Sequence, residues 1–180
     1  MKMEKRKLLL QSCCGPCSTV CIERLCEIYD VTVFYYNPCI YPKEEYLKRL
    51  DEEKRFLLDK NIPLIEGRYN NEDYENLIKG HELDSEGSGR CEICFRMRLE
   101  ETARYAKENG FDLFSTTLTV SPHKNSVLIN KIGVEISNKY DILFLEENFK
   151  KQNGYLRSIE ISKEYELYRQ NYCGCRYSKR

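Results

Sequence analysis

Short apolar runs alternate with longer amphipathic stretches along nearly the whole chain. Residues 6–12 (RKLLLQS) and 31–36 (VTVFYY) read as buried strands, being short and rich in leucine, β-branched or aromatic side chains. Between them Ser18 is placed to cap a helix with Cys21, Leu25 and Ile28 at helical spacing. Two prolines, Pro38 and Pro42, mark residues 37–42 as a loop. Residues 43–60 form an amphipathic pattern with Tyr46, Leu47, Leu50, Leu57 and Leu58 on one face, stopped by Asn61 and Pro63.

The alternation continues to the C-terminus. A short strand is expected over 62–65 and a weak helix over 72–79, ended by Gly80. The polar loop 84–89 leads into a long helix over 91–109, ended by Gly110. Strand 113–118, a turn at 121–124, helix 125–139 and strand 142–145 follow. A polar and aromatic loop covers 146–155, and a last helix is expected over 158–170.

Strands alternating with helices of this length imply a parallel sheet with right-handed crossovers. The expected fold is therefore α/β: a single domain over residues 1–180, with a Rossmann-like parallel sheet flanked by helices. Ligands of such sheets gather at the carboxyl ends of the strands. The first strand runs straight into Cys13 and Cys14, which puts those thiols at the functional edge.

Charge and composition narrow the function. Lys plus Arg equals Asp plus Glu at 29 each, so any nucleic-acid contact must come from local basic patches. Lys2, Lys5, Arg6 and Lys7 are followed by only three leucines, too short a run for a signal peptide or membrane span. Ten cysteines without a secretory signal point to metal or redox chemistry in a reducing, cytoplasmic setting.

Seven of the ten fall into three tight groups. Cys91 and Cys94 form a C-x-x-C pair opening a helix, where amides and the helix dipole favour thiolates. That spacing alone suits metal ligation or a redox pair. Cys13, Cys14 and Cys17 form C-C-x-x-C at a strand-to-helix turn. Adjacent side chains diverge, so this group suits a cluster, or a cluster beside a second metal, better than one zinc ion. Cys173 and Cys175 form a C-x-C loop that can close a strained, reducible disulfide or supply ligands. Cys21 and Cys26 read as core residues, and Cys39 is ambiguous.

Five blocks taken in order resemble the QueH family of epoxyqueuosine reductases. They are SCCGPCS (12–18), YNPCIYP (36–42), GRCEICF (89–95) with Arg98-Leu99 and Thr102-Ala103, TTLTVSPHK (116–124), and YRQ with YCGC (168–175). The resemblance implies cobalamin-independent reduction of epoxyqueuosine to queuosine at the wobble position of tRNA with a GUN anticodon. By that resemblance Cys13, Cys14, Cys91 and Cys94 hold a [4Fe–4S] cluster, and Cys173 and Cys175 form a redox-active pair. A second iron, with Cys17 as a ligand, and an external electron donor are also implied. Gln11 stands where relatives often carry His, and Cys39 where a polar residue such as Asn is expected.

Removing an epoxide oxygen takes two electrons and two protons. His123, after a strand end, is the candidate proton donor; His81 reads as a solvent-facing loop residue. Lys150, Lys151, Tyr155, Arg157, Arg169 and Arg176, with the basic C-terminal run to Arg180, are the candidate RNA contacts. Other classes fit parts of the pattern: a zinc-stabilised RNA-binding module, or a thiol–disulfide electron carrier. An ATP-using tRNA-modifying enzyme fits less well, because the first turn lacks a glycine-rich phosphate cradle.

Overall fold

A computed structural model of the chain describes residues 4–179, so Lys2 and Arg180 lie outside the described residues. Five strands form one sheet in the order β3-β2-β1-β4-β5, with every neighbouring pair parallel. They are β1 (Lys7–Ser12), β2 (Asp30–Tyr35), β3 (Leu64–Glu66), β4 (Leu113–Thr116) and β5 (Leu143–Phe144). The six α-helices are α1 (Gly15–Leu25), α2 (Lys43–Asp59), α3 (Asn71–Leu77), α4 (Gly89–Glu108), α5 (Ser126–Tyr140) and α6 (Gly154–Glu164).

The three leucines of β1 explain the layering. Strand side chains alternate between faces. Leu8 and Leu10 meet α1, α2 and α6 through Val20, Leu25, Phe56, Leu57 and Ile161. Leu9 faces the other way, onto Leu99 and Ala103 of α4 and Ile129 and Ile132 of α5. All three leucines are fully buried, as a central parallel strand covered on both faces requires. A third apolar cluster, with Tyr35, Ile40, Tyr46 and Tyr74, sits at the carboxyl end of the sheet and takes in Cys39, Cys94 and Cys175.

Several elements differ from the sequence expectation. Helix α1 starts at Gly15, with Cys14 as its N-cap and a proline in its first turn. Ser18 is therefore inside the helix, and Ile28 lies beyond its end and is exposed. On α2 the inner face is rotated: Leu47 and Leu58 are exposed, while Arg49 and Glu53 are buried with Tyr46, Leu50, Phe56 and Leu57. Strand β4 stops at Thr116, and a 3₁₀ turn covers Leu118–Val120.

The largest shift is at α6, which begins at Gly154 and ends at Glu164, leaving residues 165–175 as a strap without regular structure. Gly154 fixes that start. A Cβ there would sit 1.6 Å from the Phe149 carbonyl oxygen, so only glycine lets the two backbone segments approach.

Candidate functional site: a thiol cluster at the carboxyl edge of the sheet

Polar side chains tie the strand ends together directly beneath the cysteines. Gln11 is fully buried; its Nε2 donates to the carbonyls of Ser12 (3.1 Å) and Tyr36 (3.2 Å), and its Oε1 accepts from Thr116 Oγ1 at 2.9 Å. Asn37 Nδ2 donates to the Ser12 carbonyl at 2.8 Å. Gln11 thus joins β1, β2 and β4 and has no amide atom left to serve as a proton donor.

Beyond Ser12 the chain turns into α1 and gathers three thiols. The Sγ atoms of Cys13, Cys14 and Cys17 all lie within 4.8 Å of one another, those of Cys13 and Cys14 being 3.7 Å apart. The vicinal pair therefore converges instead of diverging, because the extended Cys14 backbone at the helix cap directs both sulfurs to one side. Hydrogen bonds from Cys14 and Cys17 hold the Cys13 thiol well below its ordinary pKa. The same bond to Cys13 pushes Cys14 up to about 12, and contacts with Cys13 and Cys14 raise Cys17.

A buried carboxyl lies behind this turn. Glu53 of α2 accepts from Ser18 Oγ at 2.5 Å, and Ser18 Oγ lies 2.6 Å from Ser12 Oγ. Its other oxygen, Oε2, is buried without a partner. Burial pushes the Glu53 carboxyl up to about 7, against the hydrogen bonds from Ser18 and Ser12.

Cys91 and Cys94 occupy the first turn of α4. The Gly87 N–H donates to Cys91 Sγ at 3.2 Å, yet burial outweighs it and the Cys91 thiol is raised. Cys94 is buried against Cys39, whose hydrogen bond raises its thiol further. Cys39, which the sequence left ambiguous, accepts a hydrogen bond from Arg98 Nη2. Burial would raise the Cys39 thiol, but the bonds from Cys94 and Arg98 bring it down to about 6.

Two cations complete the site. Arg98 is fully buried, and its Nε and Nη1 have no hydrogen-bond partner. Burial disfavours its charge, but the nearby sulfurs, Cys39 foremost, outweigh that and raise its pKa. Lys124 behaves likewise: burial lowers it, and Cys173, Cys13 and Cys17 more than compensate. A fully buried cation with unfilled donors, as Arg98 is, demands an anion beside it, and the half-buried Lys124 adds a second positive charge. A thiolate-ligated cluster carries net negative charge, so the thiols and these two cations together fit such a group.

The C-terminal strap closes the site. All ten cysteines are free thiols, so the expected Cys173–Cys175 disulfide is not formed. Cys173 lines a cavity of about 240 Å³ together with Cys13, Cys17, Arg98, His123 and Lys124, whereas Cys175 is buried in the third core cluster. Gly174 between them adopts φ +126°, which sends the two side chains to different surroundings.

The candidate RNA contacts separate into groups. Tyr155 and Arg169 line the cavity, and Lys150 Nζ donates to the Lys124 carbonyl beneath it at 2.9 Å. Lys151 is exposed. Arg157 is bound to Glu23 at 2.7 Å and Glu160 at 3.1 Å, and Arg176 to Glu75 at 3.1 Å. Those two guanidinia already have carboxylate partners. His81, in a loop, keeps its side chain 44% exposed while pairing with Asp84 at 2.8 Å. Of the cysteines read as core, Cys21 is buried and Cys26 only half-buried. Sequence reading missed Arg49, Glu53, Arg98, Lys124 and Gln170. For Arg49 and Glu53 the signal was their spacing, which falls on the same helical face as Tyr46, Leu50 and Phe56.

A parallel α/β sheet with a thiol cluster and buried cations at its carboxyl edge defines a Rossmann-like protein built around a cysteine site. The chain belongs to the epoxyqueuosine reductase QueH family, whose model matches residues 8–180. It is similar to an epoxyqueuosine reductase QueH of Streptococcus pyogenes serotype M1, 42% identical over 95% of this chain and 69% of the relative. It is also similar to one of Acinetobacter baylyi, 45% identical over 97% of this chain and 81% of the relative. The chain is thus an enzyme of the oxidoreductase class. In fold it is similar to the U34-tRNA thiolase NcsA from Methanococcus maripaludis, solved with its [4Fe–4S] cluster: TM-score 0.60, 15% identity, 99% of this chain and 63% of that one. Among the described residues no helix is long and apolar enough to cross a membrane.

Proposed function

We propose that this enzyme reduces epoxyqueuosine to queuosine at the wobble position of tRNA with a GUN anticodon, without cobalamin. In this reading Cys13, Cys14, Cys91 and Cys94 hold a [4Fe–4S] cluster, and Cys17 is available to a second iron. The observation that carries the reading is the convergence of Cys13, Cys14 and Cys17 beside Arg98, a buried cation with two unfilled donors, in a chain of the QueH family. The reading places the enzyme in a reducing, cytoplasmic setting and requires an external electron donor.

The reaction takes two electrons and two protons, breaks both C–O bonds of the epoxide, and yields an alkene and water. A bound [4Fe–4S] cluster would supply electrons singly, and a second iron at Cys17 would be the group able to polarise the epoxide oxygen. The protein's own groups do the rest. The Lys124 ammonium on the cavity wall stabilises negative charge developing on the departing oxygen. His123 on the cavity wall is the candidate proton source. Tyr155 and Arg169 offer an aromatic face and a guanidinium to an unstacked anticodon base. Cys173 is the thiol of its pair that faces the cavity, and it serves with Cys175 as a reserve of reducing equivalents.

The test is anaerobic reconstitution with iron and sulfide, then incubation with epoxyqueuosine-containing tRNA and a strong reductant. Mass spectrometry of the digested nucleosides is expected to detect loss of one oxygen with the wild type and none with Cys91→Ala. A brown, iron-loaded wild type that converts nothing would overturn the reading.

A further inference from the structure

The strap that follows α6 lays one amide directly on the cysteine turn. Gln170 Nε2 lies 2.9 Å from Cys14 Sγ and donates to it. The other end of the same amide, Oε1, is buried without a hydrogen-bond partner. A buried acceptor left unfilled is unfavourable, so this orientation serves the sulfur contact. Once Cys14 ligates a metal group its sulfur can only accept, and turning the amide over would then set two acceptors against each other.

The strap fixes that amide from both sides. On one side the Tyr168 N–H donates to Glu52 at 2.7 Å, and Lys48 Nζ sits 3.5 Å above the Tyr168 ring. On the other, Arg49 donates to the carbonyls of Tyr172 at 3.1 Å and Cys173 at 2.9 Å. Gln170 is held between two anchors on α2, and its freedom to leave Cys14 is small.

An N–H aimed at a ligating sulfur withdraws charge from it, which stabilises the more negative, reduced state of the attached group. We propose that Gln170 is a positioning residue that raises the reduction potential of the redox group held at Cys14, through this N–H···S hydrogen bond. The inference rests on the cluster assignment made under the proposed function. It adds a residue that decides how readily an external donor can load the site with electrons.

The experiment compares reconstituted wild type, Gln170→Glu and Gln170→Leu in a redox titration followed by electron paramagnetic resonance, with iron and sulfide content measured on each. Glutamate fills nearly the same volume but cannot donate when ionised, and leucine removes both polar atoms. Both variants are expected to keep their iron and to titrate at a more negative potential. The expected shift is about tenfold in the reduced-to-oxidised ratio at fixed poise, about 59 mV for one electron, and larger for Gln170→Glu, which adds charge. A purely structural side chain would change cluster content or melting temperature and leave the potential alone. Equal potentials in all three proteins overturn the inference, as does loss of the cluster in both variants, which would make Gln170 a retaining residue. A wild type that takes up no iron and sulfide would instead overturn the cluster assignment itself.

Discussion

Arg49 holds Cys173 in place: from the middle of α2 its Nη1 donates to the Cys173 carbonyl at 2.9 Å, and its Nη2 reaches the adjacent Tyr172 carbonyl. The guanidinium is 1% exposed and is neutralised by Glu45, whose Oε1 accepts from Nε at 2.7 Å. A helix thus fixes, through one side chain, the segment of strap that brings a thiol to the cavity. Arg49→Ala leaves the two strap carbonyls without their donor, at about 1–3 kcal/mol for each orphaned group, and leaves Glu45 with Tyr168 alone. We expect a lower melting temperature and faster alkylation of Cys173, with Arg49→Lys intermediate because an ammonium cannot reproduce the fork. Mass-resolved alkylation kinetics check this; an unchanged Cys173 rate in Arg49→Ala would refute it.

Glu53 sets a pH dependence of stability. Its folded pKa of about 7 lies above the ordinary value of 4.5, so between these the folded state binds a proton that the unfolded state does not. The stabilisation is complete below pH 4.5 and is lost as pH rises through about 7. Its size is about 3 kcal/mol from the shift alone. Denaturant melts across this window are expected to show stability falling with pH in the wild type and a flatter profile in Glu53→Gln.

Arg98 is expected to matter more with the bound group than without it. Its Nη2 donates to Cys39 while Nε and Nη1 are buried without a partner, and the Cys39 thiol can take up a proton when the guanidinium is removed, so Arg98→Met should cost the apo-protein little stability. The same substitution removes the cation facing an anionic cluster, and iron and sulfide uptake should fall. Thermal melts of apo-protein and iron assays after reconstitution measure the two effects separately. A parallel loss in both would mean that Arg98 is only a packing residue.

Gly154 is the steric hinge between the loop and α6. With Phe149 O 1.6 Å from the site of a Cβ, Gly154→Ala must displace backbone. A destabilisation of about 3 kcal/mol or more is expected, because strain against backbone cannot relax by a rotamer change. Gly80→Ala is the control: nothing lies within 4 Å of its Cβ position, although its φ of +88° carries the ordinary left-handed cost.

The strands, most helices and the parallel order of the fold were legible in the sequence because each rests on local periodicity. The run Leu8–Leu10 needs both faces covered, and Gly110, at positive φ just after the Asn109 cap, ends α4, whereas α3 stops at Leu77, before Gly80. The three cysteine groups were legible too, since clustering of a rare residue type survives without coordinates. What periodicity could not supply was which polar residues are buried. Arg49 and Glu53 look like ordinary charges of an amphipathic helix until α2 is laid over the carboxyl edge of the sheet, where their partners come from the strap and from α1.

The boundary of α6 was misplaced for a related reason. Residues 165–170 carry a helical pattern, but Tyr168 and Gln170 are engaged by α2 and Cys14, and these contacts outweigh propensity. Local pattern was enough for the order of elements, the inventory of thiols and the edge at which Cys13 and Cys14 emerge. Only the tertiary structure decided that Cys39 and Arg98 meet beside Cys94, that Cys173 faces the cavity while Cys175 does not, and that Gln170 reaches Cys14 across 156 residues. Periodicity is a property of neighbours along the chain, whereas the charge state and orientation of a buried group depend on neighbours in space.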